Sequence, residues 1–153
     1  MAERTLIIIK PDGIQRQLAG GIIRRFENKG FKLVAAKFVQ ITEETARRHY
    51  AVHAEKPFFE GLVKYLSSSP SLVMVWEADG IIEMARKMMG ATFGYDAQPG
   101  TIRGDFSCSR GFNLVHGSDS LSSAGQEIEL FFSPSEIIDY ELTDSPWLYG
   151  RND

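Results

Sequence analysis

The chain has 153 residues, enough to bury one continuous core and too few for two ordinary domains, so 1–153 reads as a single domain. Its 43% hydrophobic and 24% charged residues exclude a disordered chain, and a net charge of −3 with a pI near 5.6 excludes a domain built to coat nucleic acid. The longest apolar runs, Leu6 to Ile9 and Leu72 to Trp76, are strand-sized and far short of the roughly 20 residues a membrane helix needs.

In chain order, the β-branched run Thr5 to Ile9 reads as a buried strand ending in a Lys10-Pro11-Asp12-Gly13 turn. Ile22, Ile23 and Phe26 fall on one helical face, with Gly30 as the stop. Phe31 to Val39 is a second strand. Thr42 can cap a helix carrying Ala46, Arg47 and Tyr50, and Pro57 can open another with Phe58, Phe59, Leu62, Val63 and Leu66. Leu72 to Trp76 is a third strand, and the helix after Asp79-Gly80 sets Ile81, Ile82, Ala85, Met88 and Met89 along one stripe until Gly90. The stretch from Ala91 to Phe112 has no clear periodicity, and ordered loops of that length tend to be functional. Asn113 to Val115 is a short fourth strand, and a last helix presents Ala124, Ile128 and Phe131 before Ser133-Pro134 breaks it.

This order predicts an α/β sandwich of the ferredoxin-like, split βαβ kind: a four-stranded antiparallel sheet with helices on one face. A start without an apolar leader predicts a cytoplasmic protein, and Cys108, the only cysteine, excludes an intrachain disulfide and any multi-cysteine metal site.

The chemistry concentrates in Asn113-Leu114-Val115-His116-Gly117-Ser118-Asp119-Ser120, where one imidazole stands between an apolar run and a Gly/Ser/Asp turn. A histidine at a strand's exit faces a cleft. Neutral imidazole is nucleophilic near pH 7 without a separate base, and the bond made by one ring nitrogen decides whether the other is free. His116 is therefore the candidate nucleophile. An acidic chain can still bind a small anion if a few cations share one pocket, and Lys10, Arg86, Arg103 and Arg110 are the candidates.

Asn113 to Ser120 resembles the active-site signature of nucleoside diphosphate kinases. The similarity continues in order and spacing through Thr5 to Gly13, Lys56-Pro57-Phe58-Phe59, Val75-Trp76-Glu77, Pro99 to Phe106 and Trp147-Leu148-Tyr149. The resemblance implies ping-pong transfer of the γ-phosphate of a nucleoside triphosphate through phosphohistidine at His116 to a nucleoside diphosphate, with low base specificity. It implies that Lys10, Arg86, Thr92 and Arg103 meet the phosphates, Asn113 the sugar, and Phe58 the base, by stacking that every base permits. Glu127 would hold the imidazole nitrogen that does not attack, with Tyr50 and Ser118 in support. Mg²⁺ would arrive with the nucleotide, held mainly by phosphates and water without a dedicated metal cage. The family forms hexamers or tetramers, and the C-terminal segment resembles that of the hexamers, so a homohexamer is expected.

The sequence departs from the family at Phe93-Gly94-Tyr95-Asp96-Ala97, in a loop that commonly helps subunit contacts, and at Lys56 and Phe112, where basic residues are frequent in relatives, arginine at the first. Competing readings are weaker. Arg110 to Val115 only partly resembles an RNA-recognition strand, His49 and His53 lack a third metal ligand, and no G-x-x-x-x-G-K-[ST] loop occurs. A regulatory homologue without turnover would not need His116, Lys10, Arg103 and Asn113 together.

Overall fold

The N-terminal apolar run sets the centre of the fold. Residues Ala2–Ile9 form strand β1, in which Leu6, Ile7, Ile8 and Ile9 expose nothing, as a strand covered on both faces must. The computed structural model describes residues 2–153. Strands β2 (Lys32–Val39), β3 (Ser71–Asp79) and β4 (Val115–Gly117) complete an antiparallel sheet of order β2-β3-β1-β4.

Helices cover both faces, which corrects the expectation of a one-sided sandwich. On one face Ile7, Ile9, Met74 and Trp76 pack against Ile22 and Phe26 of α2 (Ala19–Asn28) and Ile81, Ala85 and Met89 of α5 (Ile81–Met89). On the other, Leu6, Ile8, Val73 and Val75 meet Ala46 of α3 (Glu43–His49), Val63 and Leu66 of α4 (Phe59–Ser67) and Phe131 of α7 (Leu121–Phe131). The sequence reason is the lack of polar alternation in Leu6 to Ile9: each alternate set needs its own apolar cover.

Local chemistry fixes the helix starts. Thr42 Oγ1 accepts from Thr45 N at 3.1 Å to begin α3, and Ser120 Oγ accepts from Ser123 N at 3.0 Å to begin α7.

Three segments differ from expectation. The Lys10 to Gly13 turn is the start of a short helix, α1 (Pro11–Gln15), with Pro11 where a missing N–H costs nothing. The 91–112 stretch contains a 3₁₀ turn (Gly94–Asp96) and helix α6 (Ile102–Phe106), whose cap is Thr101 Oγ1 accepting from Gly104 N at 2.9 Å. Strand β4 begins at Val115 rather than Asn113, because Leu114 has φ +70° and breaks the extended run. Consequently His116 lies within the strand and not beyond its exit. Among the described residues no helix is long and apolar enough to cross a membrane.

Candidate active site

Register decides where His116 points. It pairs with Ile8 across β1 and β4, so it shares Ile8's face and is directed toward α3 and α7. There its Nε2 lies 2.8 Å from Glu127 Oε1 on α7, and the same oxygen accepts from Ser118 Oγ at 2.7 Å. Ser118 is fully buried, and Leu6 N donates to its hydroxyl at 3.1 Å, which ties the carboxylate's support to the central strand. With Nε2–H directed at Glu127, the lone pair is on Nδ1.

The cations converge on the same end of the sheet. Lys10 is 5% exposed, and its Nζ donates to Asn113 Oδ1 at 2.9 Å and stands 5.4 Å from the Tyr65 ring centre. Arg103, 8% exposed, donates from Nε to Asn113 O at 3.1 Å, from Nη1 to Gly90 O at 3.0 Å and from Nη2 to Val115 O at 2.7 Å. Arg86 Nη1 reaches Gly117 O at 3.5 Å. None of the three forms an ion pair among the described residues. Burial, then the nearby Arg103 charge, pulls the Lys10 ammonium down to about 7, against a smaller opposing pull from Asp12. Burial and Arg86 likewise lower Arg103 to about 10. Buried Lys10 and Arg103, with exposed Arg86 beside them, favour an anion among them.

The remaining expected residues border this centre. Asn113 Nδ2 donates to the carbonyl of Thr92 at 3.2 Å, so the structure brings Thr92 beside Asn113 through its backbone, with the residue itself exposed. Tyr50 caps α3 and is buried, with a hydroxyl that has no partner; burial first, then Asp12 and Glu127, pushes its phenol upward. Phe58 lies further out, 51% exposed, its ring 5.5 Å from that of His53. A groove of about 510 Å³ opens beside the centre, lined by Ile82, Arg86, Gly90, Ala91 and Asp119 among others. The Ser123 hydroxyl holds the Asp119 carboxyl below its usual range.

Several contributors were not identifiable as site residues from the sequence. Asp12 read as a turn residue, and Tyr65, on the helix of Val63 and Leu66, was not singled out. His49 was considered only with His53, yet its ring stands against His116. The candidate metal cluster among the described residues is His49, His116 and Glu127, with ligand atoms within 4.8 Å of one another. It is nitrogen-rich, unlike the oxygen donors Mg²⁺ prefers, and one of its nitrogens already faces a carboxylate oxygen.

An imidazole backed by a carboxylate, at the same end of the sheet as cations that form no ion pair, suits the transfer of an anionic group. The family profile described as Nucleoside diphosphate kinase matches residues 3–137. A nucleoside diphosphate kinase of Synechococcus elongatus is 54% identical over 147 residues, covering 96% of this chain and 99% of that one. One from Trichormus variabilis is 52% identical over the same length and coverage. A solved halophilic nucleoside diphosphate kinase of Halobacterium salinarum, in complex with CDP, superposes with a TM-score of 0.96 at 47% identity, covering 98% of this chain and 100% of that one. A Babesia bovis family protein gives 0.93 at 43% identity, covering 96% and 99%. The chain belongs to the nucleoside diphosphate kinase family, and with it is an enzyme, a nucleotide-binding phosphotransferase.

Proposed function

We propose that this enzyme moves the γ-phosphoryl group of a nucleoside triphosphate to His116 Nδ1 and from there to a nucleoside diphosphate. The observation that carries the reading is the 2.8 Å contact between His116 Nε2 and Glu127 Oε1, which leaves Nδ1 as the nucleophilic atom. In the first half-reaction the Nδ1 lone pair forms the N–P bond. The bond from γ-phosphorus to the bridging oxygen breaks, and its electrons leave on the diphosphate. The ring becomes cationic, and Glu127 stabilises that charge without taking the proton. The second nucleoside diphosphate reverses the sequence, which makes the kinetics ping-pong.

In this reading Lys10, Arg86 and Arg103 stabilise charge on the transferring oxygens, with Thr92 as a further phosphate ligand. Asn113 binds the sugar, exposed Phe58 stacks on the base without choosing among bases, and Tyr50 and Ser118 support the centre. Mg²⁺ supplies neutralisation of phosphate charge when it arrives with the nucleotide; of the two groove carboxylates Glu83 already pairs with Lys87, so Asp119 is the one this chain can offer it. Residues 1–153 act as one catalytic domain. We place the protein in the cytoplasm, among its nucleotide substrates, as a homohexamer. Trp147, Phe38, Ile138 and Tyr95, exposed between 51% and 90%, supply apolar surface for subunit contacts. Sedimentation should give a sixfold mass, and a fourfold mass would select the tetramer.

The direct test mixes the protein with γ-labelled ATP and Mg²⁺, isolates it, and chases with GDP. Acid-labile, base-stable label on the wild type, passing to GTP and absent from His116→Ala, is the expected result. No label on folded wild type would overturn the mechanism.

A further inference from the structure

Leu114 is the one buried non-glycine residue with a left-handed φ, +70°, among the described residues. Val115 N donates back to Asn113 O at 2.7 Å across it, which makes residues 113–115 a γ-turn of the strained, positive-φ kind. A bulky side chain does not adopt this conformation unless its surroundings impose it. Here they do. Leu114 N donates to Asp12 Oδ2 at 3.1 Å, Leu114 O accepts from Lys10 N at 2.8 Å, and Arg103 bonds the carbonyls of Asn113 and Val115. The other Asp12 oxygen accepts the Tyr65 hydroxyl, which fixes the carboxylate between two restraints. Gly13 keeps this contact close: a Cβ there would stand 2.7 Å from Ile9 Cγ2 and 3.2 Å from Leu114 O.

The turn separates two groups with different anchors. His116 is fixed by sheet register opposite Ile8 and by Glu127. Asn113, which bonds the Lys10 ammonium, lies on the far side of the turn and outside the sheet, so its distance from His116 depends on Leu114's conformation. We propose that Asp12 is a positioning residue that holds the Leu114 γ-turn and thereby sets Asn113, the sugar ligand of the reading above, at the right reach from the nucleophile His116. This rests on the roles of His116 and Asn113 proposed above. Misplacing a bound substrate by about 1 Å can cost on the order of a hundredfold in rate, so a device that fixes this offset matters to turnover and not only to folding.

The test compares two phosphoryl donors on the same protein. Both donors present phosphoryl oxygens to the cations, but only ATP has a sugar for Asn113 to hold; phosphoramidate carries its phosphoryl group on ammonia. Asp12→Ala should label at least tenfold more slowly than wild type from ATP and within about twofold of wild type from phosphoramidate. Asp12→Asn, whose amide oxygen can still accept from Leu114 N–H, should recover the ATP rate to within about threefold. An unchanged ATP rate in Asp12→Ala, or equal losses with both donors, would overturn the proposal. Should Asp12→Ala not fold, Tyr65→Phe frees one side of the carboxylate and should show the same split at about threefold; equal rates would then count against it. Wild type that takes no label from either donor would instead remove the His116 mechanism itself.

Discussion

The imidazole of His49 stands edge-on to that of His116, with ring centres 4.5 Å apart and planes at 84°. Tyr50 and Phe131 close on the same His49 ring at 4.8 and 5.6 Å, and its Nδ1 is buried without a partner. Burial, then the neighbouring His116, Lys10 and His53, holds His49 well below the ordinary histidine range. The folded chain therefore keeps this ring neutral where the unfolded chain would protonate it. Stability from this site is complete above about pH 6.5 and is lost as pH falls below that, because the unfolded state then binds the extra proton. His49→Phe keeps a ring and removes the titration. Thermal melts from pH 8 to 5 should show the wild type losing stability relative to His49→Phe, and parallel curves would refute the assignment.

Lys10 gives a second proton-linked signal with the opposite consequence for binding. Its ammonium is lowered to about 7 in the free protein, so near pH 8 most of it is neutral. A nucleotide phosphate beside it favours the charged form, and binding must then take up a proton. Calorimetry of ADP binding at pH 8, in buffers of different ionisation enthalpy, should report net uptake. The uptake should shrink toward pH 6, where Lys10 is already charged, and should vanish in Lys10→Met.

Much of this arrangement is legible in the sequence because local patterns carry it. The four strands, the cap at Thr42 and the stops at Gly30 and Gly90 follow from residue type and spacing, whereas the serines from 118 to 123 offered several caps of which the fold uses Ser120. The family resemblance drew His116, Ser118 and Glu127 together, and the fold sets these three within one hydrogen-bonded group. What the sequence did not reveal depends on contacts far apart in the chain. Asp12 reads as an ordinary turn residue until the fold brings Leu114, 102 positions later, against its carboxylate. His49 faces His116 only because the β1–β4 register turns His116 toward α3. Leu114 has no glycine to announce its left-handed backbone, so its strand was expected two residues early.

Glu127 should matter more through its charge than through its shape. Its Oε1 receives both His116 Nε2 and Ser118 Oγ. Glu127→Gln keeps an acceptor for either but removes the anion that, in the proposed mechanism, stabilises the cationic ring of phosphohistidine. Loss of such a supporting partner typically costs about 10- to 100-fold. Rapid-quench measurement of label uptake from ATP should show a decrease of that order, with Kd for ADP changed less than threefold. A normal uptake rate would mean that Glu127 only orients the ring.

In the proposed mechanism Arg103 couples the chemistry to the fold, so its replacement should damage both. One guanidinium bonds the carbonyls of Gly90, Asn113 and Val115, spanning the end of α5, the γ-turn and the start of β4. Hydrogen bonds from a charged donor contribute about 1.5–3 kcal/mol each, and the three share one side chain, so their losses do not add. Arg103→Ala should lower unfolding stability by roughly 3 kcal/mol as well as reducing kcat/KM by about ten- to a hundredfold. Arg103→Lys keeps the positive charge but cannot reproduce the rigid fork that reaches three carbonyls. It should remain destabilised by at least about 1 kcal/mol in urea titrations while regaining part of the activity. Full stability in Arg103→Lys would show that charge alone, without the guanidinium's geometry, holds these three segments together.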